Sequence, residues 1–178
     1  MSKPVTSISI RARASHDDPA IAVLIAGAFT TAFGKSAEAR LVEALRRNGN
    51  CVVELVAVDD DGTLAGHILF SRLEVRAGAK SLKAVALAPL AVQPGLQRQG
   101  IGTALARAGL VHCRDAGEEL AVVLGHPDYY ARFGFSALLA KILDAPYSGK
   151  SFMALEFNPG VVDGHRWKVV YPSAFSSS

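Results

Sequence analysis

The 178-residue sequence has little of what small stapled or metal-held folds are built from. Its two cysteines, Cys51 and Cys113, stand far apart and form no C-x-x-C pair, and its five histidines show no metal-ligand spacing. A disulfide framework and a zinc cluster are thereby excluded as organising devices, so both thiols are expected to be reduced and buried and no metal is expected. No apolar run approaches the roughly 20 residues that a bilayer-spanning helix needs. The N-terminal stretch MSKPVTSISIRARASHDDP has no apolar core of a signal peptide either, so a cytoplasmic protein with no membrane partner is expected. Charge is modest, +3 net with no dense basic run, which disfavours a nucleic-acid partner and leaves a small anion as the partner the balance suits.

What is present is apolar matter enough for a core. Half the residues are hydrophobic and 20% are charged, which excludes disorder as the general state. The length suits one core and is short for two, so residues 1–178 are expected to form a single domain. Residues 1–7 read as a flexible lead, and residues 158–178 as a C-terminal extension that packs on the surface or frays.

The chain is organised around residues 83–116, KAVALAPLAVQPGLQRQGIGTALARAGLVHCRDA. Residues 84–92 are nearly all apolar and short, the mark of a strand buried on both faces. Pro94 and Gly95 stop it, and Ile101, Ala104, Leu105, Ala108 and Val111 then recur at helical spacing up to Gly117. The result is strand, glycine-bearing turn, helix. The opening amides of a helix have no partner within it and sit at its positive end, so an anion is the natural occupant. Gly100 and Gly102 let a phosphate come close to the main chain, and Arg98 adds charge. A bare G-x-G turn also serves a merely tight bend. Pro89, inside the apolar strand, requires an interrupted ladder, so a bulge or splay is expected near residues 88–90.

Around this core, residues 8–12 alternate as a strand, and Asp17-Asp18-Pro19 starts a helix that turns Ile21, Leu24, Ile25 and Ala28 inward. Ser36 caps a second helix carrying Leu41, Val42 and Leu45. Residues 51–58 and 64–75 are strands joined by the turn Asp59-Asp60-Asp61-Gly62, and a second turn at 76–80 completes an antiparallel meander. Residues 120–124 form another buried strand, and Pro127 opens a short helix ending at Gly134. Residues 135–139 and 151–157 are expected as the last strands, with a loop over 140–150.

Two motifs then carry a resemblance. Gln97-x-x-Gly100-x-Gly102 after an apolar strand resembles the acetyl-CoA pyrophosphate loop of the GCN5-related N-acetyltransferases (GNAT), and Tyr130-x-x-x-Gly134-Phe135 resembles the signature that follows their fifth strand. The likeness extends over about residues 8–157, its strong motifs over 88–135, and LGHPDYY resembles a bacterial subgroup of small predicted N-acetyltransferases. It implies an α/β (α+β) fold with a mixed, mostly antiparallel sheet of six to seven strands, splayed between the fourth and fifth and flanked by about four helices. It implies acetyl-CoA as co-substrate and direct transfer of the acetyl group to a primary amine in a ternary complex. The acceptor, a small molecule or a peptide, is not named by it, and a monomer or a homodimer is equally open.

The resemblance assigns cofactor contacts to Leu90, Ala91, Val92, Gln97, Arg98, Gln99, Gly100, Ile101, Gly102, Thr103 and Tyr130. The Val92 N–H is the expected oxyanion donor. Tyr130 is the expected general acid to the departing thiolate, or else a hydrogen-bond donor to the sulfur without transfer. Phe29 and Phe33 either wall the acceptor pocket, with His67 and Glu74, or seal the core. The base is open: residues 84–92 hold no acid or histidine, His126 stands close by in sequence but also suits a helix cap, and His67 and Glu74 lie an odd number apart, hence on opposite faces of a strand. The family's asparagine before the tyrosine is absent from residues 122–130. The missing base leaves a non-catalytic acyl-CoA-binding module as an alternative. A nucleotide-binding domain is disfavoured, because neither G-x-x-x-x-G-K-[ST] nor G-x-G-x-x-G occurs.

Overall fold

The computed structural model describes residues 7–29 and 36–176. In chain order it contains β1 (Ser9–Ala12), α1 (Asp18–Ala28), α2 (Ala37–Arg47), β2 (Cys51–Val58), β3 (Leu64–Ala77), β4 (Lys80–Val92), α3 (Ile101–Asp115), β5 (Leu120–Leu124), α4 (Pro127–Ala131), α5 (Ala137–Ala140), β6 (Leu143–Asp144), β7 (Phe152–Glu156) and β8 (Trp167–Val170). Local chemistry explains most boundaries. Proline stands in the first turn of α1 and α4. The Ser36 hydroxyl accepts the Ala39 N–H at 3.1 Å to open α2. Between β2 and β3, Gly62 adopts φ +79° and the Asp59 carboxylate accepts the Asp61 and Thr63 amides, so the acidic run is a self-bonded turn.

The strands join one sheet of eight, ordered β1-β2-β3-β4-β5-β7, with β8 on β3 and β6 on β8. Pairing is antiparallel except for β4 with β5 and β6 with β8. α3 covers one face, where Ile101, Leu105 and Ala106 pack with Val53, Phe70, Val85 and Val123. Its approach is close: a Cβ on Gly109 would lie 2.3 Å from the Phe70 ring, so only glycine lets the helix sit there. α1 and α2 cover the other face, setting Ile21, Ile25, Val42 and Leu45 against Val56, Leu69 and Ala91. The charged counterpart of this packing is Arg72, which grips the buried Glu118 through two bonds of 2.6 and 2.7 Å and ties β3 to the turn before β5.

Three expectations need correction. Residues 135–139 do not form a strand: Ser136 makes a single bridge to Ala154, then its hydroxyl accepts the Leu139 N–H at 3.2 Å and the chain turns into α5. The expected loop over 140–150 contains β6. The C-terminal stretch is no frayed surface tail over its described length, because β8 pairs with β3 at Glu74, Val75 and Arg76. Trp167 is 2% exposed, packs with Leu73, Val75 and Phe152, and donates its indole N–H to the Val162 carbonyl at 2.9 Å. The sheet therefore has eight strands where six to seven were expected, and the described α-helices number five where about four were expected. Of the expected flexible lead only Ser7 is described, its N–H bonded to Asp60.

Trp167 gives the packing a direct test. Trp167→Ala is expected to lower the unfolding free energy by about 3–5 kcal/mol, as removal of a buried large aromatic does. A urea titration giving a loss below about 1 kcal/mol, the scale of a surface change, would show that β8 is not part of the core.

Candidate active site

The sheet opens where Pro89 predicts. β4 and β5 are paired only from Ala84↔Leu120 to Leu87↔Val123. Beyond this, β4 stays bonded to β3 through Leu90↔Ile68, Ala91↔His67 and Val92↔Gly66, with one extra residue on β4 between Leu87 and Leu90. β5 turns instead to β7, with Leu124↔Phe152 and the Gly125 N–H on the Ser151 carbonyl at 2.9 Å. The Gln93 N–H donates to the Ala65 carbonyl at 2.9 Å. Because backbone groups alternate along a strand, the amides of Leu90 and Val92 then point away from β3, into the gap.

Next to this gap lies the start of α3. Gly100 caps it with φ +87° and, among the described residues, no side chain caps its amides, so Ile101, Gly102 and Thr103 present free N–H groups to this side. Arg98 is held at φ +62°, a left-handed conformation uncommon outside glycine. The Gln97 amide folds back on the Val92 carbonyl at 3.3 Å. A cavity of about 400 Å³ fills the space, lined by Val92, Leu96, Gln97, Arg98, Gly100, Ile101, Gly102, Thr103, Tyr129 and Arg132. Seven of the expected cofactor residues thus share one cavity. Leu90 contributes from behind, 3.9 Å from where a Gly102 Cβ would be, while Ala91 turns to the α1–α2 face. Gln99 folds toward the Gly95 carbonyl at 3.5 Å.

The two tyrosines of α4 take different places. Tyr129 lines the cavity, its hydroxyl 2.9 Å from the Cβ position of Gly102. Arg132 stacks over the Tyr129 ring at 4.7 Å and brings a second cation to the cavity. Sequence reasoning missed Arg132, although its place three residues after Tyr129 puts both on one helix face. Tyr130 lies against Gly125, where a Cβ would come within 2.4 Å of its ring, and meets Phe135 edge-on at 5.9 Å. Burial, with a smaller contribution from Tyr129, pushes the Tyr130 phenol up to about 12, so it holds its proton at neutral pH.

Of the candidate bases, His126 is exposed and its side chain does not cap α4. Glu74 is exposed, bonded to Arg76 at 2.6 Å, and lies toward the far end of β3 from the splay. His67 is fully buried on the opposite face, with Nε2 2.7 Å from Glu54 Oε1. Glu54 also receives Arg46, which bonds Asp18 at 3.2 Å, and Asp18 in turn receives Arg13. Burial alone would raise the Glu54 carboxyl, but hydrogen bonds from His67 and Arg46 outweigh it and hold the group at about 2. Phe29 ends α1 and packs, half-buried, against the core shared with Ala91. Phe33 lies outside the described residues.

Both cysteines are quiet: burial pushes the Cys51 thiol up to about 11 and the Cys113 thiol up to about 12. No group of three metal-binding side chains occurs among the described residues, and no described helix is long and apolar enough to cross a membrane. A further cavity of about 600 Å³ between α5, β6 and the 145–150 loop shares no residue with the one at α3.

Known proteins are similar to this chain in sequence and in fold. A family model described as acetyltransferase (GNAT) domain matches residues 10–138. The chain is 37% identical over 126 residues to the uncharacterized N-acetyltransferase YhbS of Escherichia coli K12, covering 71% of this chain and 72% of that protein. It is 40% identical over 120 residues to YjhQ of the same strain, described likewise, covering 66% of each. The crystal structure of YhbS from Escherichia coli in complex with CoA superposes with a TM-score of 0.85 at 31% identity, over 99% of this chain and 96% of that one. That of a GNAT family acetyltransferase from Brucella melitensis in complex with acetyl-CoA gives 0.77 at 34%, over 96% and 99%.

The ionic chain under α1 makes stability depend on pH. The Glu54 carboxyl is held at about 2 against an ordinary 4.5, so its contribution is complete above about 4.5 and fades as pH falls toward about 2. Glu54→Gln is expected to destabilise most at neutral pH, and the wild-type-minus-variant difference in urea midpoint should shrink on acidification through that window. A difference that does not change with pH would refute the ionic account.

Proposed function

This chain belongs to the GNAT acetyltransferase family, and from that premise we propose that it moves an acetyl group from acetyl-CoA to a primary amine by direct attack in a ternary complex. One observation carries the reading: unpaired amides of Leu90 and Val92 line a parted strand pair that ends at the uncapped first turn of α3. An extended amide-bearing arm suits the first feature, since it can bond the free strand edge as an added strand would. A pyrophosphate suits the second, with Arg98 and Arg132 as its counter-charges. The YhbS and Brucella structures, solved with CoA and acetyl-CoA, support this choice.

At the reacting end, the Val92 N–H serves the oxyanion that forms as the amine attacks, a kind of donor worth about 10²–10³ in rate. Tyr130 is the proton donor to the thiolate. Its raised pKa keeps the donor loaded, and a thiolate formed in the same apolar surroundings is itself more basic than its ordinary value of about 8.5. The acceptor is a small-molecule or peptide amine, and the surroundings are expected to be cytoplasmic.

The non-catalytic alternative, a sensor that binds acyl-CoA, keeps some support because β4 offers no acid or histidine from Ala84 to Val92. Calorimetry with acetyl-CoA followed by a thiol-release screen over amine classes separates the two. Saturable binding with turnover supports transfer, binding without release of thiol from any amine supports the sensor, and no binding at tens of micromolar overturns both. Within the enzyme reading, Tyr130→Phe is expected to lower kcat by about 10²–10⁴ with little change in acetyl-CoA affinity. Tyr129→Phe should leave kcat within a few-fold. The reverse pattern would hand the acid role to Tyr129, whose hydroxyl lies at the cavity.

A further inference from the structure

His67 is fully buried with only one ring nitrogen accounted for. Nε2 meets Glu54 Oε1 at 2.7 Å, and Nδ1 has no hydrogen-bond partner among the described residues. Glu54 is ionised at neutral pH and can only accept, so the hydrogen between them belongs to Nε2. In a neutral ring Nδ1 then carries an unused lone pair. A carboxylate that fixes one tautomer and leaves the other nitrogen free is the arrangement by which histidines act as bases. Leaving a buried polar atom unsatisfied costs stability, so an orphan of this kind requires an explanation.

Its position supplies one. In the β3–β4 register His67 stands opposite Ala91, and residues so paired share a face with Cβ atoms about 4.5–5.5 Å apart. Ala91 lies between Leu90 and Val92, whose amides face the splay. The residue paired with His67 on the strand that is to hold the thioester is thus Ala91, whose side chain is only a methyl group. The charged and titratable groups on this face are Glu54 of β2, which meets the ring, behind it Arg46 of α2, Asp18 of α1 and Arg13, and Cys51 at the start of β2, which feels the same charges. Each carboxylate among them is already matched by an arginine.

We propose that His67 takes, on Nδ1 and directly or through one water, the proton that the acceptor ammonium must lose before it attacks. This rests on the acetyl-transfer reading above. The N–H bond of the ammonium breaks, its electron pair stays on nitrogen, and the imidazolium formed keeps its Nε2–H on Glu54. The amine lone pair then forms the N–C bond and the C–S bond breaks. Tyr130 delivers its proton to the thiolate, the second proton lost by the nitrogen restores the Tyr130 phenol, and the imidazolium returns its proton to solvent, so one proton is released per turnover.

His67→Gln, close in volume, is expected to lower kcat by about 10²–10⁴ while the melting temperature and the acetyl-CoA dissociation constant stay near wild type. In His67→Ala, added imidazole should restore part of the lost turnover, and pyrazole, of the same shape but far less basic, should not. A His67→Gln kcat within about threefold of wild type, equal recovery with both azoles, or recovery with neither overturns the proposal while leaving wild-type acetyl transfer standing. A wild-type protein that binds acetyl-CoA and acetylates no amine overturns the reading beneath it and this proposal with it. Nitrogen-15 shifts of the His67 ring give an answer independent of turnover: Nδ1 bare and Nε2 protonated is expected, and the opposite tautomer overturns the assignment.

Discussion

From Ala88 to Val92, β4 is hydrogen-bonded along one edge only, and the rest of the molecule is arranged to keep the other edge open. Main-chain amides left without partners in a protein interior are costly, so a sheet normally closes over them. Here closure is prevented twice. The extra residue beside Pro89 shifts β4 out of the register it would need to continue with β5. β5 is meanwhile engaged by β7 as far as Leu124, and the following Gly125 bonds Ser151, so the strand is held away rather than loose. The Tyr130 ring lying on Gly125 braces that side.

An open edge binds a specific ligand only if it is fixed relative to the next contact, and α3 is what fixes it. Glycine at position 109 lets the helix sit on Phe70, and glycine at position 66 accommodates Leu105, whose Cδ1 lies 2.8 Å from where a Cβ would be. The helix start is thereby clamped to β3, the strand that also carries the bonded edge of β4. Uncapped amides and unpaired strand amides become two parts of one rigid surface. Arg98 and Arg132 supply mobile charge at its rim, where exact placement matters less than sign.

This division explains what the sequence discloses. Features carried by the backbone leave a residue signature in the sequence: Pro89 marks the interrupted ladder, Gly100 the left-handed cap and Gly102 the close approach. Features that arise from register are hidden. Glu54 and His67 meet diagonally across two strands, and that pairing depends on β2 and β3 staying in step beyond the irregularity between Cys51 and Val53. β8 is only four residues long and β6 only two, too short for a periodicity to show, although the lone tryptophan at 167 was a hint of burial. At residues 135–139 the apolar run suited either state. The deciding signal was Ser136, a capping residue placed just before a short apolar run, with the hydroxyl turned to the Leu139 amide.

The two faces of the sheet also differ in how charge is used. On the α3 face the cations Arg98 and Arg132 border an open cavity. Under α1 and α2 the charges are already matched: Asp17 with Arg11 at 2.7 and 2.9 Å, Asp18 with Arg13 and Arg46, and Glu54 with Arg46 and His67. An incoming anion is thus drawn by field as well as by amides. An incoming ammonium finds, among these buried groups, no unmatched carboxylate to attract it. Discrimination among amines on that side has to come from the shape and hydrogen-bonding groups of the segments around the opening, which vary without disturbing the sheet. The cofactor half of such a site, being built from main chain and glycine, stays legible in sequence while the acceptor half does not.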